Sequence, residues 1–285
     1  MIFMDEKYQN IVWILLALSL FLGATVQYSE GSNIVGIALF LLGLGVLSKI
    51  RIAGSETMRP GHPRFYAVVG LSLIFMDLGY NYLGKGRGGI NTLDTMVLLL
   101  GASLIAWGSP REDLKKLGSF GTYLSATFVV LYLTFYIALN HQLYKFDHYF
   151  VMLPSAYLVK ALGVPIEIVG TETLRLGGSD LVVKIGGPCS GLYSMFLLIG
   201  IVLGYSVTEG IRDKKRIIGI AAVAAAIAYL GNLVRVSVIY VVGNYYGTDA
   251  MMTVHVHLGW IIFAATSLLI LFALEKTRMM IAVDT

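Results

Sequence analysis

The chain has 285 residues, 57% hydrophobic and 13% charged, with a mean hydropathy of +0.77. A soluble domain is about half apolar and about a quarter charged, so this composition excludes an ordinary water-soluble globule. The net charge is +4, but the basic residues are scattered among short loops, so they read as topology signals and no nucleic-acid partner is expected. A single cysteine excludes any intrachain disulfide.

The apolar residues fall into runs of about 17–20, the length that crosses a ~30 Å hydrocarbon layer. Eight spans are expected, near 10–27, 33–50, 65–83, 92–108, 119–139, 190–207, 216–243 and 255–274. The first follows Asp5, Glu6 and Lys7 and lacks a small-residue cleavage pattern, so it reads as a retained span. The fold class is therefore an all-α polytopic membrane protein with a small β-rich outer loop before the sixth span. One membrane domain, 1–285, is expected, with an N-terminal four-helix part over 1–118 and a catalytic part over 119–275.

The connection 140–189 differs in character. Residues 147–163 are apolar but contain Pro154 and Lys160, and read as an interfacial helix or a shallow re-entrant segment. Residues 166–185 alternate apolar and polar positions, with Ile166, Ile168, Leu174, Leu176, Leu181, Val183 and Ile185 in phase. Gly170, Gly177-Gly178 and Gly186-Gly187 punctuate the stretch, which predicts two or three short strands with glycine turns. Unpaired strand edges are not tolerated in lipid, so this unit is expected in water or on the headgroups. Lys and Arg set the orientation: with the N-terminus inside, Lys7, Lys49, Arg51, Arg111, Lys115, Lys116 and the 212–216 group all fall inside. Both termini are expected in the cytoplasm of a plasma-membrane protein, with the β-rich loop outside.

Three polar residues then fall at one depth. Cys189 ends the outer loop at the start of the sixth span. Arg235 lies 19 residues beyond Arg216, which is about 28 Å along a helix and close to the outer surface. His255 and His257 open the eighth span at its outer end. Positive charge and a helix N-terminus favour a thiolate, an imidazole can carry the proton, and a guanidinium can hold an oxyanion. Together they make an acyl-transfer site. A charged residue within a span is costly and is usually functional or paired; for Arg235 the structural alternatives are snorkelling or a pair with Asn232. Cys189 could equally be a small buried hydrophobe, although Gly187, Pro188, Ser190 and Gly191 around it allow a substrate close approach.

Other polar positions read as structural. Asp77 lies in the outer half of the third span and is expected to pair with Arg235 or Lys85, or to cap a polar helix end. Asp147 with His148 reads as a solvated loop start, without the further ligands a metal needs. Glu167, Glu172 and Asp180 read as polar strand or turn residues. Tyr80, Tyr82, Tyr240, Tyr245 and Tyr246 read as an interfacial aromatic belt. There is no P-loop or HExxH, so no cofactor and no metal is expected.

PCSGLYS at 188–194, NLVR at 232–235 and HVHLGWIIF at 255–263 resemble, in order and in span position, the exosortase/archaeosortase family of membrane transpeptidases. The resemblance extends over about 120–275. It implies an enzyme that processes secreted precursors bearing a C-terminal motif, a transmembrane span and a basic tail. The acyl group passes through a thioester to a membrane lipid or another surface acceptor. Carried over by position, Cys189 is the nucleophile, Arg235 the oxyanion or positioning group and His255 the acid/base; Asn232, Ser190, His257 and Asp77 are possible support. His255 is preferred to His257 because it stands four residues before Gly259-Trp260, where the family's histidine lies. The β-rich loop is expected to bind the substrate motif by strand addition. Two other readings stand beside this one: an intramembrane cysteine protease with water as acceptor, and a small-solute transporter using Arg235 as an anion site. No duplicated halves, the usual mark of a transporter, are visible. A scaffolding role would leave Arg235 without a reason.

Overall fold

The computed structural model describes residues 13, 16–17, 20, 23–24, 33–47, 62–83, 91–179, 181–186, 190–208, 210–211 and 213–283. The chain is mostly helical with one small sheet. In order, it contains α1 (Asn33–Leu47), α2 (Pro63–Tyr82), α3 (Thr92–Trp107) and α4 (Glu112–Tyr132). Then come a π-helical turn (Leu133–Ala138), α5 (Asn140–Phe146), a second π-helical turn (Asp147–Met152) and α6 (Leu153–Ala161). Strands β1 (Ile166–Ile168), β2 (Thr173–Leu176) and β3 (Leu181–Lys184) follow, then α7 (Leu192–Thr208) and α8 (Lys214–Val283).

The expected spans from 33 onward each coincide with a helix; the one at 10–27 falls mostly outside the described residues. Two described stretches combine the length and apolarity of a membrane crossing, Leu114–Ala138 and Lys214–Ser267. Ile34–Gly43, Thr92–Trp107 and Leu192–Thr208 are shorter apolar helices. α8 is a folded hairpin: Gly247, at φ 80° and ψ −171°, breaks it into limbs 214–246 and 248–283. The limbs run antiparallel, because Gly231 faces Ile262 and Thr266 while Gly259 faces Arg235. Only glycine takes a positive φ at little cost, which is why the hairpin turns at 247.

Local signals start the helices. Pro63 opens α2. Asn91 caps α3 by accepting from Leu93 and Asp94 N–H groups, and Asp94 returns a bond to the Asn91 N–H at 2.8 Å. Asp213 Oδ1 accepts from Lys215 and Arg216 at the start of α8. Glycines then set the helix spacing. A Cβ on Gly200 would lie 2.7 Å from the Leu124 carbonyl oxygen, and one on Gly204 would lie 2.8 Å from that of Phe120, so α7 packs directly on the backbone of α4. The main core joins Phe120, Leu124 and Phe128 of α4 to Phe196, Leu198 and Ile201 of α7, with Ala224 and Phe263 from the two limbs.

The predicted strands form an antiparallel meander, β1-β2-β3. Leu174 and Leu176 are fully buried, and with Leu181, Val183 and Ile185 they pack on Val151, Met152 and Val159 below and on Val236 and Tyr240 of α8. The sheet also carries Arg175–Glu167 (3.6 Å) and Lys184–Glu172 (3.3 Å) ion pairs; Glu167 lies in β1 and Glu172 in the turn before β2, a polar strand position and a turn position. Asp180 lies outside the described residues. Gly178 N–H donates to Asn244 Oδ1 at 2.8 Å, which pins the β2–β3 turn to the first limb near its end.

Two expectations are corrected. Tyr240 is 1% exposed, within the cluster beneath the sheet, and does not belong to an outward aromatic belt; Tyr80, Tyr82, Tyr245 and Tyr246 are exposed as expected. Asp147 is 3% exposed rather than solvated. It opens the second π-helical turn, whose following residues Val151 and Met152 are fully buried and draw the whole turn inward.

Candidate active site

The site is built where α7 begins. Ser190 is buried, and its Oγ accepts from the Leu192 N–H at 3.4 Å, which satisfies one of the free donors at the start of α7. Gly191 follows with φ 78°. A Cβ there would lie 2.7 Å from Asn232 Cβ, so both the backbone angle and the space demand glycine. Asn232, itself buried, thus seats the first limb of α8 against the turn that follows Cys189. Cys189, with Gly187 and Pro188, lies outside the described residues.

One helical turn beyond Asn232, Arg235 reaches across the hairpin. Its Nη2 donates to the backbone carbonyl of His255 at 3.2 Å. The guanidinium lies flat on Gly259, where a Cβ would come within 3.0 Å of Cζ. The absence of a side chain at 259 therefore makes the slot for the cation. His255 is half-buried, Val256 is buried and His257 is exposed, so the two histidines point to different faces, as their two-residue separation on a helix requires. The structure brings Arg235 and His255 together and places Asn232 and Ser190 around Gly191.

Asp77 belongs to a different group. It interacts with Asp94 of α3, and its backbone carbonyl accepts from Asn81 Nδ2 at 3.0 Å. This cluster lies between α2 and α3. Among the described residues no group of three or more His, Cys, Asp and Glu residues is arranged to hold a metal ion.

A tyrosine cluster behind Ser190 had no counterpart in the sequence reading. Tyr136 OH lies 3.5 Å from Ser190 Oγ. Its ring stacks on Tyr132 at 4.7 Å and meets Tyr193 at 5.4 Å. Tyr136 and Asp147 each sit in one of the two π-helical turns, and such turns often occur where side chains are re-aimed at functional sites. The available signal was the four-residue spacing of Tyr132 and Tyr136, which puts both rings on one helix face.

Compared with curated proteins and with solved structures, the chain has no match. The family profile of transmembrane exosortases does match, over residues 6–272. That span takes in the Cys-Ser-Gly turn, the Asn232–Arg235 turn and the His255 limb, so the chain belongs to the transmembrane exosortase family.

Proposed function

We propose that this membrane transpeptidase cleaves the C-terminal sorting segment of secreted precursors through a thioester on Cys189. The observation that carries the reading is the double junction of the α8 hairpin: Asn232 seated on Gly191, two residues past Cys189, and Arg235 bonded to the His255 carbonyl. In this reading the eight spans leave both termini in the cytoplasm and this junction at the outer leaflet.

The chemistry runs as acyl transfer. His255 takes the proton of Cys189, and the sulfur attacks the scissile carbonyl carbon. Arg235, always charged and partly desolvated, holds the oxyanion of the tetrahedral species. The C–N bond then breaks, and His255 returns its proton to the departing amine. The amine leaves with the substrate's own span and basic tail, and the thioester remains. A lipid headgroup amine or another surface nucleophile attacks that carbon, His255 accepts its proton, and the Cys189 thiolate is released. The start of α7, three residues on, offers unsatisfied N–H groups that favour the thiolate.

The test is mass spectrometry of the C-termini of surface proteins from cells carrying wild-type or Cys189→Ala enzyme. Trimmed C-termini with a lipid-sized addition in wild type, and intact precursors in the variant, are expected. Processing that persists in Cys189→Ala refutes the proposal, and free carboxyl termini in wild type replace the transfer step with hydrolysis.

A further inference from the structure

Among the described residues, the backbone groups along the outer edge of β3 bond to no other strand. Ile185 N–H donates to the Glu172 carbonyl at 2.8 Å. In antiparallel pairing, bonded and non-bonded residue pairs alternate. The register Leu174↔Val183 and Leu176↔Leu181 therefore continues the bonded set, and Val182 and Lys184 turn their N–H and C=O groups away from β2. Among the described residues no strand pairs with that side of β3. Val182 is 58% exposed. Lysine on an edge usually blunts it against pairing, but the Lys184 ammonium is drawn over the sheet face to Glu172 at 3.3 Å and leaves its backbone open.

The direction of β3 gives this edge a meaning. Its leading turn is pinned at Asn244 through Gly178. Its trailing end, Ile185, packs in the cluster with Tyr240 and Val236, next to Arg235. The strand thus descends the first limb of α8 from the hairpin turn to the level of the Arg235–His255 bond, and Cys189 follows Lys184 by five residues. Five extended residues span at most about 17 Å, so an extended peptide lying on this edge comes within a few residues of the sulfur.

We propose that β3 docks the substrate: the extended stretch just upstream of the scissile bond adds to its free edge, parallel to β3, through the backbone groups of Val182 and Lys184. This rests on the transpeptidase reading above and says how that site takes its substrate. Only an extended peptide backbone supplies donors and acceptors at strand spacing; a lipid chain or a helix does not. Parallel pairing follows from the substrate's own layout. Its secreted part lies outside and its span continues into the bilayer, so it must run toward Cys189 in the same sense as β3. Main-chain recognition of this kind tolerates varied side chains, which suits one enzyme acting on many precursors.

The experiment substitutes Val182→Pro in the full-length protein in its own cells, with Ile168→Pro as a matched control. Both prolines remove an N–H that the sheet does not use, because Glu167 and Val169, not Ile168, make the bonds of β1 to β2. Val182→Pro is expected to lower precursor processing about three- to tenfold, the loss of one hydrogen bond, at unchanged membrane levels, while Ile168→Pro is not. Processing by Val182→Pro within about twofold of wild type, where twofold is ~0.4 kcal/mol, overturns the proposal. Should Val182→Pro fail to accumulate, a photo-crosslinking residue at 182 in the Cys189→Ala background decides. Adducts to precursor residues just upstream of the C-terminal apolar span support docking, and their absence overturns it. Cys189→Ala separates the two readings: if it abolishes processing while Val182→Pro does not, the transpeptidase stands and strand docking falls.

Discussion

Asn232 rests directly on the backbone of Gly191, so close that a single added methyl at 191 would collide with it. This contact joins α8 to the turn after Cys189, and it depends on a residue with a left-handed φ of 78°. Gly191→Ala must therefore accept the left-handed cost of about 1–2 kcal/mol and also push Asn232 away. The expected outcome is a protein that still inserts but processes precursors at least about tenfold more slowly, since misplacing a reacting group by about 1 Å costs on the order of 10²-fold. Precursor-to-product ratios on immunoblots, at matched membrane levels, check this.

Arg235 bonds the His255 carbonyl and lies on the bare face of Gly259. A leucine at 259 fills that slot and lifts the guanidinium away. Gly259→Leu is expected to lower kcat by about 10²-fold with little change in KM. Arg235→Lys keeps the charge but loses the planar fork, and loss of one oxyanion donor costs about 10²–10³-fold. Single-turnover assays in membranes, following release of the C-terminal fragment, separate these effects from binding.

His255 is half-buried beside Arg235, whereas His257 is exposed on another face. His255→Gln removes the proton carrier and is expected to cost about 10²–10⁴-fold. His257→Gln is expected to process precursors close to the wild-type rate. Equal losses from the two substitutions would contradict the assignment of His255.

Tyr136 holds Ser190, the residue after Cys189, from behind. Tyr136→Phe keeps the stacked ring and removes one hydroxyl, worth about 0.5–1.5 kcal/mol. The expected result is a fall of about two- to tenfold in kcat, at unchanged KM and unchanged membrane level. Tyr136→Ala also removes the ring packed between Tyr132 and Tyr193, and is expected to reduce the amount of folded protein, as read by limited proteolysis.

The parts of this architecture that were legible in advance are those written in local pattern. Strand alternation over 166–185 put Leu174 and Leu176 in one apolar phase and so gave the strands, because the side-chain period of a strand is two. Long apolar runs marked the helices, and a lone arginine within one of them marked itself, because burying a charge has no local compensation. Asp147 and Tyr240 were misread for the opposite reason. A carboxylate before aromatic residues and a tyrosine near a helix end both look like surface; Tyr240 is interior because it packs in the cluster beneath the sheet, and Asp147 is buried at the start of the turn that carries Val151 and Met152.

Sequence alone determined the membrane class, the helices, the strands and the three short blocks that place this chain among the exosortases, since each depends on residues near one another in the chain. Tertiary structure decided which faces meet. The π-helical turns at 133–138 and 147–152 each shift the helix phase, by about 100° per extra residue, and no local propensity sets that angle. The seat of Asn232 on Gly191 and the slot for Arg235 on Gly259 likewise exist only because two helical limbs, reversed at Gly247, lie close enough for missing side chains to matter.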